Sequence, residues 1–155
     1  MRVLTTMCAV FAMTVTAMAA DNTLGTWKYN TAKSKQATGV SAITSLTVTR
    51  EATNGAVKIS AKGERKDGSK IDTETTTKYD GAASSVTGTG LTWDSTSIKQ
   101  VDANTLAEER SKQGGKYHST VRTVVSKDGK TMTSNSKGTD SEGKPFTSVA
   151  VFDKQ

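Results

Sequence analysis

The residues able to do chemistry are few, and their spacing excludes more than it supports. The chain has one histidine, His118, and one cysteine, Cys8, which falls in the first ten residues. Zinc is held by sets of three or four histidine, cysteine or carboxylate ligands, and one histidine cannot anchor the usual sets. Haem on a lone histidine needs a larger apolar pocket than this sequence offers. A serine nucleophile needs a base and a sharp turn to present it, and no Gly-x-Ser-x-Gly elbow accompanies His118. Glu108 and Glu109 are adjacent, so on a strand they point to opposite faces and cannot act as a paired acid and base. Glycine-rich phosphate loops of the Walker type are absent. The expectation is a protein with no catalytic residues, no metal and no cofactor.

What remains is binding chemistry. Glu108 shares a strand face with Leu106 and Arg110. If that face turns inward, the two charges form an internal ion pair or a polar anchor, with Arg110 offered to an anionic ligand. If it turns outward, they are a solvated surface. Tyr79, Trp93 and Tyr117 supply aromatic surface, and Thr73, Thr75, Thr77, Ser95, Ser97 and Ser119 supply small polar side chains that leave space. Two readings fit. One is a partly polar cavity for a small apolar or amphipathic molecule, since binding sites mix apolar walls with a few polar groups. The other is a thin core with wet threonine faces, filled by the protein's own side chains.

Short strands must position these residues. Turn signals fall at Asn54-Gly55, Asp67-Gly68, Asp80-Gly81, Gly88-Thr89-Gly90, Asp102-Ala103-Asn104, Gly114-Gly115, Asp128-Gly129 and Glu142-Gly143. Asn-Gly and Asp-Gly pairs supply the positive φ angles of tight hairpins. Between them residues alternate with a period of two, which marks strands with one buried face. Ile71, Thr73, Thr75, Thr77 and Tyr79 oppose Asp72, Glu74, Thr76 and Lys78; Tyr117, Ser119, Val121, Thr123 and Val125 oppose His118, Thr120, Arg122 and Val124. The abundant threonine favours strands over helices. Ten strands are predicted, near 24–30, 43–52, 56–65, 70–79, 83–89, 92–101, 104–112, 116–126, 130–139 and 145–153. Residues 31–42 fit none of them and form a loop or a short helix. Pro145 opens the last strand, where a missing N–H does least harm. Strands joined in simple sequence hide their edges best by closing on themselves. The predicted fold is therefore all-β, an antiparallel up-and-down barrel of about eight to ten strands.

Leu24-Gly25-Thr26-Trp27-Lys28-Tyr29-Asn30 places Gly-x-Trp at the start of the first strand. This resembles the lipocalin and fatty-acid-binding-protein superfamily, the calycins. The resemblance implies that Trp27 packs across one end of the barrel. Strand parity, not the resemblance, turns Tyr79 inward with Ile71, Tyr117 with Val121 and Val125, and Trp93 with Ser95, Ser97, Lys99 and Val101, so that the four aromatics ring the interior. Leu24 to Lys35, Asp128-Gly129-Lys130-Thr131-Met132-Thr133 and the end, Val149 to Gln155, also resemble small exported lipocalin-like bacterial proteins. Two departures stand out. Where many lipocalins stack an arginine over that tryptophan, this chain has Lys154, a poorer stacking partner. The Arg-x-Tyr by which many fatty-acid-binding proteins hold a carboxylate has no counterpart in the last strand.

Residues 1–20 read as a signal peptide. Arg2 is followed by an apolar run centred on Val10, Phe11, Met13 and Val15, then by Ala17-Met18-Ala19, an A-x-A cleavage site. The run is too short to span a bilayer, and no later stretch could do so. A single barrel domain over 21–155 would follow, without cysteine and hence without a disulfide, in the periplasm or outside the cell. The net charge is +6, falling to +5 without Arg2. Its lysines are spread evenly and aromatics are 5% of the chain, unlike the basic, aromatic-bearing stripe of a nucleic-acid binder. The expectation is an exported, monomeric small-molecule-binding protein, the other reading being a non-catalytic envelope or interaction protein with a filled barrel.

Overall fold

The computed structural model describes residues 21–38 and 41–155, so the cleavage site and Cys8 lie outside the described residues. The described chain is all-β, without a helix. Its strands are β1 (Gly25–Tyr29), β2 (Ile43–Thr53), β3 (Ala56–Arg65), β4 (Lys70–Thr77), β5 (Asp80–Ser85), β6 (Thr87–Thr89), β7 (Ser95–Asp102), β8 (Thr105–Ser111), β9 (His118–Val125), β10 (Thr131–Thr139) and β11 (Pro145–Lys154). All neighbours are antiparallel, in the order β5-β7-β8-β9-β10-β11-β1-β2-β3-β4-β6. Apart from the β11–β1 pairing, which joins the last strand to the first, and the skips at β4–β6 and β5–β7, this is an up-and-down meander.

The two edges of that sheet are β5 and β6, and only Val86 separates them in sequence. Residues 80–89 thus pair with β7 through their first half and with β4 through their second. The Thr75 hydroxyl donates to the Ser85 carbonyl (2.8 Å), fastening β4 to this segment beyond the ladder. The barrel is nearly closed, and the predicted strand 83–89 is its seam, begun three residues earlier and broken at Val86. Gly88 makes the close approach there. Its φ is +111°, and a Cβ would lie 2.0 Å from the Asp72 carbonyl oxygen. Only glycine takes that conformation without strain.

The meander sets two ends. At one lie the segments 30–38, 41–42, 66–69, 90–94, 112–117 and 140–144; at the other lie residues 21–24 and the turns at 54–55, 78–79, 103–104 and 126–130. The second end is plugged. Trp27 is fully buried and its indole N–H donates to the Thr23 carbonyl at 2.8 Å. It packs with Tyr29, Val48, Val125, Met132 and Phe152. Lys154 Nζ lies 4.8 Å from the Trp27 ring centre and donates to the Leu24 carbonyl. Lys154 thus lies over the tryptophan, in the place where the resemblance led to an arginine. A second apolar cluster, Val57, Tyr79, Ile98 and Leu106, sits beside it with Leu24 against it. Residues 31–38 form no helix. They are pinned to the last strand by the reciprocal Lys35–Val149 backbone bonds, and Gln36 caps the Ile43 backbone through both amide atoms.

Candidate functional site

The barrel interior holds a cavity of about 270 Å³. Its composition follows from strand parity. On one side β1, β2, β3 and β11 turn Tyr29, Leu46, Val48, Ile59, Ala61 and Phe152 inward, an apolar wall. On the other, β4, β7 and β8 present Thr73, Thr75, Thr96, Glu108 and Arg110. Loop residues from the unplugged end, Lys35, Gln36, Leu91, Thr92, Asp140 and Ser141 among them, rim the space. Near that rim Trp93 stacks on Tyr117 (5.6 Å between centroids), which stacks in turn on Phe146 (5.9 Å). The Arg110 guanidinium lies 4.5 Å from the centre of the Trp93 ring, within cation–π range.

The inward-facing pair on β8 is the electrostatic centre of the wall. Arg110 donates to Glu108 from Nε (2.7 Å to Oε1) and from Nη2 (2.9 Å to Oε2), a two-pronged fork on one carboxylate. The Thr96 hydroxyl donates to Oε1 at 2.7 Å. Burial by itself pushes the Glu108 carboxyl up. The Arg110 charge and hydrogen bonds, the Thr96 hydroxyl and the Arg50 charge outweigh that, and hold it below the ordinary carboxylate range. Of the two orientations open from sequence, the inward one is observed.

Arg50 on β2 also lines the cavity and is 6% exposed. Among the described residues its side chain makes one hydrogen bond, from Nη1 to the Tyr79 hydroxyl at 2.8 Å, and its buried Nε–H has no acceptor. No carboxylate lies within ion-pair distance of it among the described residues. Of the charged residues bordering the cavity, Lys35 and Glu74 are exposed and Arg65 and Asp140 belong to the rim, which leaves the guanidinium groups of Arg50 and Arg110 against the Glu108 carboxylate in the wall.

Of the residues singled out from sequence, Trp93, Arg110 and Tyr117 line the cavity. Trp27 and Tyr79 do not. Both are buried in the apolar floor, and Tyr79 reaches the site only through its hydroxyl on Arg50. Tyr79 is past the end of β4 with φ +58°, so strand alternation no longer governs it. Trp93 points inward although the parity that suggested it fails: β7 begins at Ser95, and Lys99 and Val101 on its supposed face are exposed. Ser95 and Ser97 are corrected likewise. Thr96 and Ile98 are the buried pair, because their cross-strand partners Arg110 and Glu108 face inward. His118 is exposed. Arg50 was missed, together with Tyr29, Phe146 and Phe152. The signal was the parity of Leu46, Val48 and Arg50, which puts a cation on an otherwise apolar face.

No protein-family model matches the chain. No curated protein matches it either. A solved structure described as EF1p2_mFAP2b bound to DFHBI aligns with a TM-score of 0.48 and 9% sequence identity, over 86% of this chain and 94% of that one.

Proposed function

We propose that this protein is a non-catalytic carrier that holds one small, partly apolar molecule inside its barrel after export to the periplasm or beyond. The cavity carries this reading. Its walls are largely aliphatic and aromatic, with a few convergent polar groups, the composition typical of small-molecule sites. A barrel acting only as an interaction surface has no use for an interior void, since each unfilled methylene-sized space costs stability. The export half of the reading rests on the leader-like pattern of residues 1–20.

The test is native mass spectrometry of the protein recovered from its own compartment. The expected mass starts at Ala20 or Asp21, with a bound small molecule released on denaturation. Protein that retains Met1 refutes export, and a chain that binds nothing from a lipophilic extract refutes the carrier.

A further inference from the structure

Given the carrier reading, we propose that the ligand is an organic monoanion, an oxyanion head on an apolar body, and that the head is seated on Arg50. Arg50 and Arg110 make the case by comparison; the third arginine on the lining, Arg65, already donates from Nη1 and Nη2 to the Ser41 and Gly90 carbonyls at the rim. Arg110 spends its Nε and Nη2 donors as a fork on the Glu108 carboxylate. Arg50 has Nη1 committed to a neutral phenol, Tyr79, and its Nε–H has no acceptor. The edge that Arg110 fills with a carboxylate is thus the edge that Arg50 leaves without one. A buried guanidinium is always charged, and a buried charge without a counter-charge is costly. Glu108 relieves Arg50 only through its field, since among the described residues the two form neither a hydrogen bond nor an ion pair. An oxyanion at the Nε–Nη2 edge supplies both the missing acceptor and the missing charge.

The surroundings define the rest of the molecule. Arg50 lies near the plugged end, on the same face of β2 as Val48 and Leu46. Leaving Arg50 toward the rim, a ligand meets Leu46, Ile59 and Ala61 on one side and the Trp93–Tyr117–Phe146 stack further out. The head therefore enters first and the apolar body fills the space behind it. The strained Tyr79 backbone, held in the left-handed region, keeps the phenol that aligns the guanidinium. Arg110, with its fork filled, lines the wall without receiving the head.

A matched pair of dyes tests this: 8-anilinonaphthalene-1-sulfonate and N-phenyl-1-naphthylamine, the same scaffold with and without the anion. Fluorescence titration of the protein is expected to give one saturable site for each, with the sulfonate bound roughly ten- to a hundredfold tighter, the range of a charge-assisted hydrogen bond. Arg50→Met is expected to abolish that difference, while Arg50→Lys retains part of it. Arg50→Met is also expected to leave the melting temperature unchanged or raised, because it removes an uncompensated buried charge. Equal affinity of the two dyes for the unaltered protein overturns the proposal, and needs no variant to fold. So does an Arg50→Met variant that still prefers the sulfonate. Failure of both dyes to saturate overturns the carrier reading itself, whereas saturation by the neutral dye alone overturns only the anion seat.

Discussion

Trp27 and the Glu108–Arg110 pair show how far single residues decide this barrel. Trp27 is fully buried under Lys154 and hydrogen-bonded to the Thr23 carbonyl. Truncating it to alanine empties the plug, and the expected loss is about 3–5 kcal/mol in denaturant unfolding, as for other buried large aromatics. Arg110→Ala strands the Glu108 carboxylate in the interior. Breaking such a pair from one side is strongly destabilising, and because Arg110 is partly exposed and Arg50 lends its field, about 3 kcal/mol is expected at neutral pH. The pH dependence has a definite sign. Folding lowers the Glu108 pKa, so the pair's contribution is present above the unfolded carboxylate value and is lost as pH falls through the lowered folded value. The stability gap between the unaltered protein and Arg110→Ala should thus be largest at neutral pH and shrink as pH falls, first as Glu108 protonates in the variant, where burial raises its carboxyl, until it protonates in the unaltered protein too. A gap independent of pH would mean that Arg110 contributes by packing alone. At this scale the sequence was partly legible. Arg110, Trp93 and Tyr117 could be named, but Arg50 could not be distinguished from a solvated strand arginine until its neighbours Leu46 and Val48 were known to face inward.

Among the elements, legibility tracked the contrast between faces. β4 sets Ile71 and three threonines against Lys70, Asp72, Glu74 and Thr76, β9 sets Ser119, Val121, Thr123 and Val125 against His118, Thr120, Arg122 and Val124, and the burial of both alternates residue by residue. The Ser95-Thr96-Ser97 run of β7 offers no such contrast. Its phase comes from its β8 partners rather than its own residues. The seam was the hardest element to see. Residues 82–85 are Ala-Ala-Ser-Ser, too small to mark a face, and the change of partner at Val86 is a long-range event with no local signature. It hangs on Gly88, whose missing Cβ lets β6 lie against Asp72 and Thr73. Gly88→Ala is expected to cost about 2 kcal/mol, the scale of one strained backbone residue. Hydrogen exchange should show faster exchange confined to residues 72–74 and 87–89. Uniform destabilisation without local exchange at those residues would mean that the seam is not the weak point.

At the scale of the whole fold, the described residues form a nearly closed barrel, plugged at one end by Trp27 and residues 21–24 and left with a lined space behind the loops of the other. Closure was legible as turns at regular intervals between alternating strands. The cavity was not, because whether small threonines and serines leave a void depends on how facing side chains meet across the barrel. The central claim is that this space receives a molecule. The measurement that tests it most directly is titration with the neutral dye N-phenyl-1-naphthylamine, following tryptophan emission in the unaltered protein and in Trp93→Phe. Trp93 lines the cavity whereas Trp27 is sealed in the plug. Saturation at one dye per chain, with a tryptophan change that largely disappears in Trp93→Phe while the dye still binds, is the predicted result. No saturation, or a tryptophan response unaffected by removing Trp93, would contradict it.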